Sequence, residues 1–266
     1  MNGITFHKED YLGVSYGDKH TWEDWGLILK VKPDIAFPET KTKYIDITGG
    51  NGQIDLTSLL TYDTKYANRV GSFVFSSIRP RDHWNTLKSE IANFLHGQRV
   101  KMILDEDPDY YWMGRFTLNE WLSDKKIGEL TIDYNLEPYK YEMFTSVEDY
   151  EWDTFNFETG VVRQWKDIRI DGPTDIVLIG SRMPVIPTLT IETDDGNGFH
   201  GVGGLYGFPP VVRGFNLPDG TYKDPNFVIR ENTYLHPYHF YGEGSQHGVT
   251  YQNTGTITIE YRGGSL

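Results

Sequence analysis

The chain has 266 residues, with 25 Lys and Arg against 38 Asp and Glu, a net charge of −13 and no cysteine. The cysteine count excludes disulfides, thiolate metal sites and a cysteine nucleophile, and the acidic balance argues against sequence-specific nucleic-acid binding, which needs clustered cations on phosphates. No apolar run approaches the ~20 residues of a membrane span, and the opening MNGITFHKEDYLG lacks a basic-then-apolar pattern, so neither membrane insertion nor a secretory signal is expected.

In chain order, the first half reads as strands around one helix. GLILKV from Gly26, KYIDIT from Lys43 and RVGSFVFS from Arg69 are short, β-branched or aromatic, and bounded by turn residues. A long polar connection, TGGNGQIDLTSLLTYDTKYAN, separates the second of these from the third. An irregular segment of that length inside a compact domain usually has a function. DHWNTLKSEIANFLHG then places Trp84, Leu87, Ile91, Phe94 and Leu95 at helical spacing, with Asp82 as the expected N-cap and Gly97 as the stop. RVKMIL from Arg99, YYWMGRFTLNEW from Tyr110 and IGELTIDYNL from Ile127 follow as strands.

The second half has no comparable helix. TDIVLIG, IPTLTIET, YLHPYHFYG and TGTITIEYR read as strands separated by Gly and Pro, the pattern of a sandwich or barrel. Charge also divides the chain: residues 1–140 carry 17 basic and 21 acidic side chains, residues 141–266 carry 8 and 17. This predicts two domains, 1–140 and 141–266.

Motifs of chemistry are weak. Gly196, Gly198 and Gly201 spell GxGxxG, but Pro209 and Pro210 forbid the helix that would hold a pyrophosphate. Asp194-Asp195-Gly196-Asn197-Gly198 lacks the ligand spacing of a calcium loop and reads as a turn. Asp105, Glu106, Asp107 and Asp109 surround Pro108 and read as a solvated turn rather than a glycosidase pair. His236 and His239 flank Pro237 in an extended segment, which removes the helical face a zinc pair needs, and His247 follows. No catalytic residue, cofactor or metal is expected, and nothing supports an enzyme.

The order of features carries more information than any one motif. Asn2-Gly3-Ile4 and Trp25-Gly26-Leu27-Ile28 lead into KVKPDIAFPE, then GGNGQIDLT and YANRVGSFVF with Asn68-Arg69 heading a strand. LHGQRVKMILDEDPDYYWMGRF, IDYNLEPYKY and the final GTITIEYRGGSL complete the series. In these residues the chain resembles the distal tail protein (Dit) family of bacteriophages with long, non-contractile tails (siphophages) and their prophages.

That resemblance implies a mainly β (β-rich α+β) fold: an N-terminal tube-protein-like β domain with one helix, then a peripheral galectin-like β-sandwich. It implies a virion structural protein at the tail tip, made in the host cytoplasm, forming a homo-hexameric hub ring. The implied partners are the tail tube protein, the tail-associated baseplate protein and receptor-binding proteins. A ring closed by rotation uses heterologous contacts. The 49–68 connection, with Ile54, Leu56, Leu59, Leu60, Tyr62 and Tyr66, is the expected assembly interface, reaching a neighbouring subunit or the adjacent tail ring. DNA would traverse the ring, so an acidic or neutral lumen is expected to repel it. The alternative is a carbohydrate-binding β-sandwich contributing to cell-wall adsorption, since 7 Trp and 18 Tyr provide stacking faces; a glycoside hydrolase ranks third.

Overall fold

The computed structural model describes residues 13–59, 63–123, 127–148, 162–171, 176–202, 205–206, 215–225, 227–230, 234–235, 245–246, 249–250 and 254–266. The chain divides into two units, Met1–Tyr141 with Leu266, and Glu142–Ser265. The fold is mainly β with a single α-helix among the described residues.

In the first unit, β1 (Val14–Tyr16), β2 (Lys19–His20) and β3 (Leu27–Leu29) precede the short β4 (Thr40–Lys41), β5 (Tyr44–Asp46), β6 (Gln53–Asp55) and β7 (Lys65–Tyr66). The long β8 (Arg69–Ser77), helix α1 (Trp84–Leu95), β9 (Arg99–Leu104), β10 (Tyr110–Ser123) and β11 (Gly128–Leu136) follow, and β12 (Lys140–Glu142) spans the boundary between the units in the chain. Seven strands of the main sheet follow one another in the order β2-β1-β9-β10-β11-β8-β3, and β12 joins the same sheet beside β10. β1 and β3 lie toward opposite edges, yet only residues 17–26 join them, folded into β2 and turns with Thr21 and Trp25 fully buried. That short connection draws the edges together, so the sheet curls around its core.

Period-two patterning explains which face is enclosed. Phe73 and Phe75 of β8, Leu130 and Ile132 of β11, and Phe116 of β10 all point into one buried cluster. Leu87, Ile91 and Leu95 of α1 join the same cluster. Each such side chain contributes about 1.5–3 kcal/mol on burial. Trp84, at the first residue of α1, sits over Gly128, where any Cβ would stand 2.9 Å from the indole. Its Nε1 donates to the Arg79 carbonyl at 2.8 Å.

The opposite face of the sheet is polar through its middle, with Ser72 of β8 paired to Asp133 of β11, and Asp133 in turn to Thr117 of β10. Between Leu118 and Trp121 the β10–β11 register shifts, so Asn119 and Glu120 together oppose one residue. The bulge reverses the alternation. Trp121, rather than Glu120, therefore turns inward against Trp84, their ring centroids 6.2 Å apart.

Two local expectations need correction. Asp82 does not cap α1: a 3₁₀ turn, Arg81–His83, precedes the helix, and the N-cap residue is His83 with no side-chain cap bond. The polar connection before β8 is not irregular either. β5 pairs with β6, and β4 with β7, so the described residues between Thr40 and Tyr66 form a two-stranded arm. Gly97 does end the helix, with φ of 74°, and its N–H donates to Phe116 O at 2.7 Å.

The second unit contains β13 (Ile168–Ile170), β14 (Thr188–Thr193), β15 (Phe199–Val202), β16 (Leu205–Tyr206), β17 (Phe215–Leu217) and β18 (Gly220–Tyr222), then β19 (Tyr234–Leu235), β20 (Ser245–Gln246), β21 (Val249–Thr250), β22 (Gly255–Glu260) and β23 (Gly264–Ser265). Its main sheet is antiparallel, in the order β13-β22-β14-β18. Leu189 and Ile191 of β14 and Ile257 and Ile259 of β22 point into one core with Ile170, Phe199, Phe227 and Ile229. TDIVLIG is not a strand in its described part: beyond a one-residue bridge at Ile176, residues 177–180 belong to no strand, although Ile176 and Leu178 are buried. Of YLHPYHFYG, only Tyr234 and Leu235 are described, as β19; His236, His239 and His247 lie outside the described residues.

A polar network closes this core. The Ser146 hydroxyl donates to Ile259 O at 2.7 Å and accepts from Tyr261 N at 2.8 Å. Tyr261 donates its hydroxyl proton to Ile179 O at 2.8 Å and accepts from Trp165 Nε1 at 3.0 Å. Burial pushes the Tyr261 hydroxyl up to about 12, against the lowering pull of the Arg163 charge. Its unfolded value lies near 10. The stabilisation is therefore complete below pH 10 and is lost as pH rises through about 12. Denaturant titrations of the second unit between pH 9.5 and 12 are expected to show falling stability, with a shallower slope in Tyr261→Phe.

Candidate assembly surface

A two-stranded ribbon needs a third layer to hide an apolar face, and an isolated one is marginal in water. Among the described residues the strands β5 and β6 of the arm have no such layer over them. In β5 and β6 every residue is exposed, and Ile45 pairs across to Ile54. Its turn is built on Gly49 and Gly52, with φ of 76° and 85°, a conformation side-chain-bearing residues disfavour. Behind the turn, Leu56 N donates to Lys43 O at 2.8 Å and the Thr57 hydroxyl accepts from Lys43 N at 3.0 Å. Thr57 also bonds the Asp55 carboxylate, first through its hydroxyl and then through its N–H, holding that carboxyl below its usual range. The arm is thus ordered by its own backbone while its apolar side chains face solvent.

Of the six residues expected at an interface, Ile54 and Leu59 are exposed at 51% and 61%. Leu56 and Tyr66 are half-buried, and Tyr66 stands edge-on to Tyr139 at the arm's base, 5.8 Å between centroids. Leu60 and Tyr62 lie outside the described residues. Sequence reasoning placed the surface only on the returning limb. The outgoing limb carries as much: Phe37, Tyr44, Ile45 and Ile47 are all exposed. KYIDIT was readable as a strand, but nothing in it marks whether its partner is the main sheet or an arm.

The arm's base is fixed by Arg69, the first residue of β8, which is buried. Its Nε donates to Pro138 O and its Nη1 to Ala36 O, both at 2.9 Å. The guanidinium lies 4.7 Å from the Trp112 ring centre and 6.0 Å from that of Phe37, within reach of a cation–π attraction. Burial pulls its pKa below the ordinary arginine value, and a planar fork with weak hydration suits that place better than lysine would. Ala67 N donates to Glu39 O at 2.8 Å, and Asn68 Nδ2 reaches Asn135 Oδ1 at 2.7 Å. Outgoing and returning limbs are therefore both fastened at the head of β8.

Other candidate chemistry resolves into structure. Asp105 binds the Gly13 N–H at 2.7 Å and the His20 ring at 3.2 Å, and Asp107 pairs with Lys140 at 2.6 Å. Asp195 and Asn197 form a side-chain-supported turn, and Gly201 of the GxGxxG spelling lies within β15. Among the described residues no cluster of three metal-ligating side chains occurs, and no helix is long and apolar enough to cross a membrane. A shallow polar hollow of about 360 Å³ is lined by Ser146, Glu148, Gln164 and Lys166 among others.

No family model and no curated protein matches this sequence. Among solved structures, it is similar to the crystal structure of SPP1 Dit (gp 19.1), presented as a paradigm of the hub adsorption apparatus in phages that infect Gram-positive bacteria. The similarity covers 96% of this chain and 99% of that one, with a TM-score of 0.54 at 13% sequence identity. At that identity the likeness is one of fold, extending over both units.

Proposed function

We propose that the chain is a structural component of a phage tail tip, a hub protein whose first unit forms a homo-hexameric ring and whose second unit is a peripheral galectin-like sandwich. The observation that carries this reading is the fold similarity to a hub protein along nearly the whole of both chains. Fold alone does not assign function; the arm adds a local argument, because an ordered ribbon with exposed Ile45, Ile54 and Leu59 is what a self-assembling subunit must present before assembly. In this reading the ring joins the tail tube protein to the tail-associated baseplate protein, receptor-binding proteins attach at the periphery, and the protein performs no catalysis. The net charge of −13 favours a passage that does not retain DNA.

The test is assembly. Native mass measurement is expected to show a hexamer for the unmodified chain. A double substitution, Ile54→Asp and Leu59→Asp, is expected to yield folded monomers, because neither side chain supports a core. A persistent oligomer in that variant, or a cleft that turns over cell-wall sugars, counts against the reading.

A further inference from the structure

Two arginines are buried among the described residues, and they differ in what surrounds them. Arg163 has the Glu142 carboxylate against its guanidinium. Arg69, 4% exposed, has no ion pair among the described residues. Its Nε and Nη1 are committed to the carbonyls of Pro138 and Ala36, while Nη2 is buried with no hydrogen-bond partner. Its other neighbours are the rings of Trp112 and Phe37. Carbonyls and ring faces offer partial charges only, whereas a buried full charge is ordinarily paired with an opposite one. Nearly every buried polar group in a native fold is satisfied, so an open Nη2 marks a place for a partner. Burial lowers the Arg69 pKa, and the influence opposing it comes from the Tyr134 phenol, not from a carboxylate. Asp34, whose charge acts on Tyr134, is itself exposed.

One wall around this cation is itself mostly in solvent. Of the two rings beside it, Trp112 is buried and Phe37 is 85% exposed. A ring so exposed can change rotamer quickly and admit a small group. Along β8, Gly71 follows Arg69 at the next position on the same face and is exposed. Register pairs Gly71 with Tyr134, and any Cβ at Gly71 would collide with the Tyr134 hydroxyl. The missing side chain thus leaves a second O–H donor two residues along from the guanidinium. From this geometry we infer that Arg69 binds a carboxylate, which enters on the Phe37 side and is held through Nη2 in a charge-assisted hydrogen bond. The carboxylate is either a free small acid or an Asp or Glu side chain of an adjoining subunit. Only the second source rests on the assembly reading above.

The test follows the Arg69 Nε–Hε signal of isotope-labelled full-length protein by NMR, identified by sequential assignment so that Arg69 itself is kept. Sodium acetate is the probe, with sodium chloride at equal ionic strength as its control. In the variant carrying Ile54→Asp and Leu59→Asp, acetate is expected to move this signal saturably. The midpoint is expected at a concentration at least tenfold below that of any movement at the exposed Arg81. Phe37→Ala, which removes the exposed ring, is expected to change that midpoint at least threefold; an unchanged midpoint overturns the entry route. In the unmodified assembly, a signal that already stands at the acetate-bound position and no longer moves identifies a neighbour's side chain as the source. Equal movement in both forms identifies a free carboxylate. No saturable movement in either form, or the same movement in chloride, overturns the inference. A double variant that stays oligomeric counts against the assembly reading, while the acetate response still decides the site.

Discussion

Gly114→Ala is expected to unfold the first unit's sheet at a cost above about 3 kcal/mol, more than the ordinary 1–3 kcal/mol of overpacking. Gly114 lies in the middle of β10, paired on one side to Leu136 and on the other to Val100. A Cβ there would stand 2.6 Å from Asn135 O and 2.8 Å from Leu136 Cα. Those neighbours are main chain in a ladder, which cannot yield as a flexible side chain does; relief requires separating β10 from β11. A glycine inside a strand often marks such a close approach. The comparison is Gly52→Ala, whose Cβ meets nothing within 4 Å although its φ is 85°; its cost is expected to stay near 1–2 kcal/mol, from backbone strain alone. Calorimetry resolves the two, and equal effects would refute the steric argument.

The second large effect is expected at Arg163. Only 3% exposed, it forms an ion pair with Glu142 and donates from Nε to Ile179 O at 2.7 Å. Its Nη2 reaches Gly180 O at 3.4 Å, and the guanidinium stands 5.8 Å from the Tyr261 ring centre. Arg163→Ala leaves the Glu142 carboxylate without this cation and strips donors from two carbonyls. Breaking a buried pair from one side costs about 3–5 kcal/mol, a large share of the stability of any domain. Arg163→Lys is expected to recover part of it, since a single ammonium retains the charge but not the fork. Denaturant unfolding of the full chain checks both: the transition of the second unit should move and that of the first should stay.

Elements whose signals are local were readable in the residues. Trp84, Leu87, Ile91 and Leu95 repeat at helical spacing because one face of α1 is buried, and β8, β11 and β22 alternate because each hides one face. The arm was not readable as an arm. Burial writes alternation into a sequence, and a ribbon exposed on both faces has none to write; the pairing of Thr40 with Tyr66 is also remote in sequence. Ile54 and Leu59 could be singled out as apolar residues in a polar stretch, whereas Tyr44 and Ile45 passed as an ordinary sheet strand. Arg69 and Arg163 give no warning either. A cation heading a strand looks solvated until the fold supplies carbonyls and a Trp112 face around it.

The position of β22 sets a timetable for the nascent polypeptide. The seven strands from β2 to β3 of the first main sheet are all in hand once Leu136 has been synthesised, and only β12 and β23 join that sheet later. The other unit's main sheet takes its interior strand, Gly255–Glu260, from almost the end of the chain, and β13 and β14 both pair to it. Domains tend to fold as units while translation proceeds. The seven-stranded part of the first unit can therefore pair on the ribosome while its companion waits for β22, and a chain cut short before Gly255 would carry a second unit without the strand that β13 and β14 pair to.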